Sequence, residues 1–329
     1  MAKKEKNPTI YDVAKLACVS LATASRVMNG IDKVAPDTKE RVLDAIKQLN
    51  YRPSSIAVEL ASRKNTNVAI IVPEIKYTYV SHVVSGIMEA ANEYGYDCLI
   101  FTTKNDKKSL SKVMSKVVSL RPNGIILFND TLLDEELKEL FTFDIPLVTL
   151  GVDLKTVSSV SWHYKNQIID LVNEALARNK QIYFLHVDGS GRMENRIIDA
   201  VCKAYEKANL KFENIIHVPD SYQGTYDIVS KKIKEISSGF FIATRDGIEI
   251  AALNAALDME KKVPEDFEFM AMIGTKYSEL TRPKLSSFSI DMKGLGKEGM
   301  KVLSEVIENN EEIISKKLPF KYVKRGSTL

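Results

Sequence analysis

The residues whose types and spacing suggest chemistry lie near the amino terminus. One face of a short predicted helix is free of acidic residues and carries Leu21, Ala22, Ser25, Arg26 and Asn29. Such a face can enter the major groove of DNA without a steric clash or charge repulsion. Arg26 can form a bidentate contact with a guanine edge there, while Leu21 and Ala22 can pack on thymine methyl groups.

Short polar side chains around this face can donate hydrogen bonds to phosphate oxygens. They are Thr9, Tyr11, Thr23, Ser25 and Asn29. The alternative is a plain three-helix bundle in which Arg26 is simply solvated. The pattern of residues therefore favours a DNA-binding face and leaves this structural alternative open.

Three short helices are predicted to position these side chains. The first begins at Thr9-x-x-Asp12, which resembles a capping box. Ser20 is a suitable N-cap for the second helix, and Gly30 is a suitable residue after its end. Pro36 is predicted as the first residue of the third helix.

The charge distribution agrees with a polyanionic partner at one end of the chain. Residues 1–66 contain 12 Lys/Arg and 7 Asp/Glu, and the other 263 residues carry a net charge of −2. No apolar run follows the basic start, so we expect a cytoplasmic protein without a signal peptide or a membrane contact. The three cysteines are far apart, which indicates neither a disulfide framework nor a metal site.

From Val68 onward, short apolar runs alternate with amphipathic helical stretches. Two sets of four to five such runs predict two doubly wound lobes, each built on a parallel sheet. A ligand in this architecture binds in the cleft at the carboxyl ends of the strands. The same body occurs in solute-binding proteins, which form an alternative class of function.

The head closely resembles the DNA-binding signature of the LacI/GalR family. The matching residues are Thr9-Ile10-Tyr11-Asp12-Val13-Ala14, then Val19-Ser20-x-x-Thr23-x-Ser25-Arg26-Val27-x-Asn29. The resemblance implies an all-α helix-turn-helix head on an α/β two-lobed core like that of periplasmic binding proteins. It also implies that Leu21, Ala22 and Arg26 read bases while the polar residues named above, with Ser20, hold the DNA backbone.

Residues 51–62 resemble the hinge helix of that family. The resemblance implies a segment that folds on operator DNA, pairs across a homodimer and inserts Leu60 into the minor groove. Ser54 and Ala57 belong to the same expected DNA-binding segment. Ser54, Val58 and Glu59 depart from the family pattern.

The expected effector cleft also departs from the family pattern. Our candidate cleft residues are Tyr79, His163, Arg192, Ile198, Arg245 and Lys276. By the resemblance, Arg245 and Lys276 stand where acids are usual, His163 replaces an acid, and Ile198 replaces a base. Two interpretations remain open: the cleft binds a small anionic effector such as a phosphorylated metabolite, or it no longer binds any small molecule.

The head and the tail at 317–328 resemble the catabolite control branch of the family. That branch is regulated by a phosphorylated carrier protein, HPr. By the resemblance, the helix with Met300 and Lys301 would dock this partner, and Lys301 offers a positive charge to a phosphate. Glu305 stands where a base is typical.

These observations predict a repressor-type transcription regulator that binds a palindromic operator as a homodimer. We expect a head at 1–52, a hinge and linker at 53–66, and a core at 67–329. One lobe is expected at about 67–161 and 292–318, and the other at about 162–291 and 319–329. We expect no enzyme and no cofactor, because G-x-G-x-x-G at 294–299 lies too late for a dinucleotide site. The four histidines are spread along the sequence and predict no metal site.

Overall fold

The computed structural model describes residues 8–28, 30, 34–51, 65–104, 106–128, 144–154, 156–188, 192–309 and 313–329. The chain divides into two compact units, residues 1–65 and residues 66–329. The first unit is the head and the second is the core. Among the described residues, no helix combines the length and the apolar character needed to cross a bilayer.

The described part of the head contains three helices. They are α1 (Ile10–Leu16), α2 (Leu21–Met28) and α3 (Pro36–Gln48). Val13, Val27 and Val42 are buried at the centre, where all three helices contribute to one small apolar cluster. Because α2 supplies few residues to this cluster, most of its other surface remains exposed.

Local hydrogen bonds fix the starts of two of these helices. At α1, the Asp12 carboxylate accepts from the backbone N–H (2.8 Å) and the hydroxyl (2.7 Å) of Thr9. At α2, the Ser20 hydroxyl oxygen accepts from the backbone N–H of Thr23 at 3.1 Å. Gly30 has a φ of +69°, in the left-handed region where a helix commonly stops. The predicted starts at Ser20 and Pro36 are therefore confirmed.

The first lobe of the core is built on a six-stranded parallel sheet in the order β11-β5-β4-β3-β1-β2. Its strands are β1 (Asn67–Val72), β2 (Asp97–Thr102), β3 (Gly124–Phe128), β4 (Leu147–Leu150), β5 (Ser158–Trp162) and β11 (Ser315–Leu318). The described helices of this lobe are α4 (Thr78–Tyr94), α5 (Lys107–Ser119) and α10 (Met292–Asn309).

The second lobe has a sheet in the order β12-β10-β9-β8-β6-β7. Its strands are β6 (Ile182–Val187), β7 (Ile215–Val218), β8 (Gly239–Arg245), β9 (Phe267–Ile273), β10 (Ser286–Ser289) and β12 (Lys321–Val323). The helices are α6 (Lys165–Ala177), α7 (Arg192–Lys207), α8 (Tyr222–Glu235) and α9 (Asp246–Asp258), and a 3-10 turn spans Lys276–Glu279. The β10–β12 pair is antiparallel, whereas the other described pairs are parallel.

Most predicted apolar runs form strands that are buried on both faces, as parallel sheets between helices require. Every residue of β3 and of β9 is buried. Strand β5 was not anticipated, because its sequence Ser-Ser-Val-Ser-Trp is polar. It is nevertheless fully buried, and the Ser158 hydroxyl accepts from the backbone N–H of Ile314 at 3.0 Å.

The glycine-rich stretch at 294–299 serves packing. A Cβ on Gly296 would lie 2.1 Å from the carbonyl oxygen of Val83, and one on Gly86 would lie 2.0 Å from that of Lys293. Only residues without a side chain allow α10 and α4 to approach this closely. The stretch therefore belongs to the closely packed first half of α10.

Candidate DNA-binding face and core cleft

The exposed surface of α2 matches the predicted DNA-reading face. Leu21, Ala22 and Arg26 are exposed, whereas Ala24 and Val27 are buried against the other helices of the head. Leu21 leaves 37% of its surface in solvent, although it is a large apolar residue. A cation flanked by apolar and small side chains is thus presented on a rigid helix.

Polar groups surround the start of this helix. The hydroxyl oxygens of Ser20 and Thr23 lie 2.9 Å apart, and Ser25 is partly exposed behind them. Tyr11 is 69% exposed on α1. With Thr9, these residues are among those that were predicted to contact the DNA backbone. Asn29, Ser54, Ala57 and Leu60, which were also predicted to contact DNA, lie outside the described residues.

The core contains a cleft of about 540 Å³ between its two lobes. Lys76 and Tyr77 follow β1 in the first lobe, while Asp220 follows β7 and Arg245 ends β8 in the second. Carboxyl ends of parallel strands meet at one edge of a sheet, so these side chains converge as the doubly wound architecture predicts.

Asp220 links the two lobes across this cleft. Its carboxylate accepts a hydrogen bond from the Tyr77 hydroxyl at 2.7 Å and lies 2.8 Å from the Arg245 guanidinium. The guanidinium also lies over the Tyr77 ring, 4.8 Å from its centre, and the Lys76 ammonium is 3.6 Å from Asp220. We refer to Tyr77, Asp220 and Arg245 as the inter-lobe bridge.

The environment of the bridge stabilises its charged form. Burial opposes ionisation of Asp220, but the Tyr77 hydrogen bond and the charges of Arg245 and Lys76 outweigh it and hold the pKa of this carboxyl below its usual value. Burial also raises the pKa of Tyr77, and the hydrogen bond to Asp220 adds to this shift. The phenol therefore remains a donor at neutral pH.

The structure brings some predicted cleft residues together and separates others. Tyr79 and Arg245 line the cleft, and Lys276 lies next to it with its ammonium 5.4 Å from the centre of the Tyr277 ring. Ile198 does not line the cleft; it is partly buried and packs against the apolar core. The side chain of Arg192 lies outside the described structure.

His163 lies in a separate pocket of about 260 Å³ at the lobe junction. Several basic side chains share it, and its lining residues are Trp162, His163, Tyr164, Lys165, Arg196, Asp199 and Lys203. The neighbouring Lys203 ammonium lowers the pKa of Lys165, because two positive charges close together repel.

On α10, the two predicted docking residues differ in exposure. Lys301 is exposed, whereas Met300 is fully buried in the core. A partner could therefore contact Lys301 on this surface without contacting Met300. Glu305 lies 3.7 Å from Lys316, so its charge is partly balanced within the chain.

Sequence reasoning missed Tyr77 and Asp220, although a signal was present. Both residues follow apolar runs that were predicted as strands of different lobes, and the carboxyl ends of strands are where ligand-site residues collect. It also missed that β6 and β7 bring His186 and His217 side by side, with ring centres 5.1 Å apart.

A helix-turn-helix head on a two-lobed core defines the class of DNA-binding regulators that carry a binding-protein-like domain. Residues 9–54 match the family described as "Bacterial regulatory proteins, lacI family", and residues 177–328 match "Periplasmic binding protein-like domain". The chain is 31% identical over 330 residues to catabolite control protein A of Staphylococcus epidermidis, covering 97% of this chain and 99% of the relative. It is also 31% identical over 331 residues to the HTH-type transcriptional regulator pepR1 of Lactobacillus delbrueckii subsp. lactis, covering 99% of each.

Solved structures show the same fold. The lac repressor dimer bound to operator and the anti-inducer ONPF superposes with a TM-score of 0.85 at 22% identity, covering 98% of this chain and 100% of that one. The transcription regulator CcpA of Lactococcus lactis gives a TM-score of 0.69 at 22% identity, covering 81% and 100%. The chain belongs to the LacI family and is a DNA-binding transcription regulator. Its relatives are regulators and not enzymes, as the sequence predicted.

Proposed function

We propose that this protein is a repressor that binds a palindromic operator as a homodimer in the cytoplasm. In this proposal α2 lies in the major groove, Arg26 reads a guanine, and Leu21 and Ala22 contact thymine methyl groups. A two-fold DNA site matches a two-fold protein dimer, so each head reads one half-site.

The observation that carries this proposal is the surface of α2. Its exposed face combines Arg26 with Leu21 and Ala22, and the helix has no acidic residue from Leu21 to Met28. An apolar side chain such as Leu21 is costly to leave in water and gains contact area in a groove. The lac repressor dimer, whose fold this chain shares, is bound to operator in its solved structure.

The hinge residues complete the proposed interface. Ser54 and Ala57 would face the DNA, and Leu60 would unstack a base step in the minor groove. Such a wedge needs a deformable step, and it contributes to specific binding more than to non-specific binding. The relatives named catabolite control protein A support a role in carbohydrate or catabolite control.

A gel-shift assay tests the proposal. The full chain is titrated against symmetric duplexes with a central CG step and against scrambled duplexes of equal length, at several salt concentrations. We expect preferential binding to the symmetric duplex, with an affinity that falls steeply as salt rises because counterions are released. Equal affinity for symmetric and scrambled duplexes would contradict operator recognition.

For the core, we propose control without a neutral sugar effector. The Arg245 charge, which was expected to attract an anion, is already paired with Asp220 within the chain. An intramolecular carboxylate thus takes the place that an anionic ligand would occupy. This pairing favours a cleft whose cation is already neutralised within the chain, and it leaves regulation to a protein partner, such as phosphorylated HPr at Lys301.

A thermal-shift screen separates the two modes of control. The chain is heated with sugar phosphates, with neutral sugars and with serine-phosphorylated HPr. Stabilisation by sugar phosphates would support an anionic effector that displaces Asp220, and stabilisation by the carrier protein alone would support a cleft that binds no small molecule. Stabilisation by neutral sugars alone would contradict both.

A further inference from the structure

Two histidines that are 31 positions apart in the sequence meet on the second lobe. His186 on β6 and His217 on β7 are direct partners in the parallel register, so their side chains lie on the same face of the sheet. Their rings are nearly perpendicular, with centres 5.1 Å apart. Strand β7 is the edge strand of this sheet; the His217 side chain is 65% exposed, and that of His186 is 17% exposed.

A carboxylate completes the group. Asp188 follows β6, and its Oδ1 lies 2.8 Å from Nδ1 of His217. Each of the three residues offers one ligand atom, and these atoms all lie within 4.8 Å of one another. To bind one tetrahedral cation, these atoms must rearrange until each pair is about 3.4 Å apart.

A second carboxylate lies next to His186. Glu194 of α7 is buried, and its Oε2 lies 2.8 Å from Nδ1 of His186. The ring N–H does not point well enough at this oxygen to form an aligned hydrogen bond, so the contact is electrostatic. The same Oε2 accepts from the backbone N–H of Val187 at 3.2 Å, which fixes the carboxylate in place. Because Glu194 lies at Nδ1, the nitrogen of His186 that remains to bind a metal is Nε2.

We infer that the core binds one divalent transition-metal cation of the Zn²⁺ type between His186, His217 and Asp188. Two imidazole nitrogens and one carboxylate oxygen suit Zn²⁺, whereas Ca²⁺ and Mg²⁺ require mostly oxygen ligands. Three protein ligands leave a fourth position for water. This inference is independent of the proposed DNA binding, since all of its residues belong to the core.

Charge and geometry both agree with such an ion. The carboxylates of Asp188 and Glu194 together balance the charge of a divalent cation. Donor atoms around a tetrahedral zinc are about 3.4 Å apart, so Asp188 and His217 need to separate by roughly half an ångström. Their side chains are 69% and 65% exposed, which leaves room for that movement.

Direct metal binding tests the inference. The full chain, without an affinity tag and stripped with a chelator, is titrated with Zn²⁺ against a chromophoric competitor. We expect one Zn²⁺ per chain with submicromolar affinity, a large loss of affinity in His186→Gln and in His217→Gln, and a smaller loss in Asp188→Asn. His82→Gln is the matched control, because His82 is exposed on α4 and lies outside the group.

Cobalt spectra separate this site from adventitious binding by cysteine. Co²⁺ bound by nitrogen and oxygen gives visible d–d bands without the near-ultraviolet charge-transfer band of a thiolate ligand. The same bands must disappear in His217→Gln, whose fold is checked by its melting curve in the presence of chelator. Absence of a stoichiometric site, a thiolate band, or equal affinity in the wild type and both histidine variants would overturn the inference.

Discussion

Arg26 is an exposed cation on a helix whose other exposed residues are small or apolar. Arginine presents a planar fork of donors that matches the two acceptors of a guanine edge. Its neighbours Ala22 and Leu21 are exposed as well, so the guanidinium can approach a base without a bulky polar side chain in the way. At the scale of single residues, we therefore expect specificity to depend on Arg26 more than on total charge.

Replacing Arg26 by alanine tests this dependence. We expect Arg26→Ala to weaken binding to the preferred symmetric duplex by about 1–3 kcal/mol, the usual value of a bidentate base contact, and to change scrambled-DNA binding much less. Lys15→Ala is the control, because it removes an equal charge from an exposed position on α1. Competition gel shifts measure, for each variant, the ratio of its affinity for the symmetric duplex to its affinity for scrambled DNA. An equal loss of affinity for both DNAs in Arg26→Ala would contradict base reading by Arg26.

Glu249 is a titratable residue inside the second lobe. It is fully buried on α9, and its Oε1 accepts from the backbone N–H of Met270 at 3.2 Å, whereas Oε2 has no hydrogen-bond partner among the described residues. Burial raises the pKa of this carboxyl well above its usual value. The folded chain therefore keeps the side chain neutral at pH values where the unfolded chain ionises it.

This shift makes stability depend on pH. Below the unfolded-state pKa of about 4.3, both states are protonated and the free energy of unfolding is unaffected. As pH rises toward the folded pKa, the unfolded chain gains stability from ionisation, by up to about 1.4 kcal/mol per pH unit. We expect Glu249→Gln to become increasingly more stable than the wild type in urea titrations as pH rises above 5, until the pH reaches the folded pKa. The exposed Glu308→Gln should show no such trend, and a pH-independent difference for Glu249→Gln would contradict the shift.

An ion pair with a buried carboxylate connects three elements of the second lobe; the Arg178 side chain is 33% exposed, whereas that of Glu268 is fully buried. Glu268 on β9 is completely buried, and both of its oxygens lie within 2.9 Å of Nη2 of Arg178 at the end of α6. The same carboxylate accepts from the backbone N–H of Leu329 at 2.9 Å. One carboxylate thus connects helix α6, strand β9 and the carboxy-terminal residues.

Breaking this pair on one side should be costly. Arg178→Met leaves Glu268 buried without its cation, so we expect the free energy of unfolding to fall by about 3 kcal/mol. The double variant Arg178→Met/Glu268→Met should recover much of this loss, because no buried charge remains. Chemical denaturation measures the free energy of unfolding of each variant. Lys211→Met is the control, because it breaks an exposed ion pair. A loss for Arg178→Met as small as that for Lys211→Met would contradict the argument.

At the scale of the whole molecule, the inter-lobe bridge is a contact between the two lobes of the core. Tyr77 belongs to the first lobe, while Asp220 and Arg245 belong to the second, so the bridge holds only when the lobes are closed. Such a contact biases the equilibrium between open and closed cores in the absence of any effector.

We expect Asp220→Asn to open the core. The substitution removes the charge that Arg245 and Lys76 share, so the lobes should separate and small-angle scattering should show a larger radius of gyration. The freed Arg245 should also make inorganic phosphate more stabilising than it is for the wild type. Asp170→Asn is the control on an exposed part of α6. An unchanged radius together with an unchanged response to phosphate would show that the bridge does not restrain the lobes.

The sequence by itself determined the head, its outward face and the parallel strands. Each of these features depends on short-range periodicity, capping residues and runs of apolar side chains, which a local stretch such as 20–30 contains in full. Strand β5 is the exception, because its serines are buried only through hydrogen bonds to distant segments such as Ile314.

Only the tertiary structure decided which polar residues meet. Tyr77 and Asp220 are 143 positions apart, Arg178 and Glu268 are 90 apart, and Asp188 and His217 are 29 apart. Each pairing depends on strand order and register, which follow from the packing of whole sheets and not from local patterns. For this reason Arg245 could be predicted as a cleft cation, but its neutralisation by Asp220 could not.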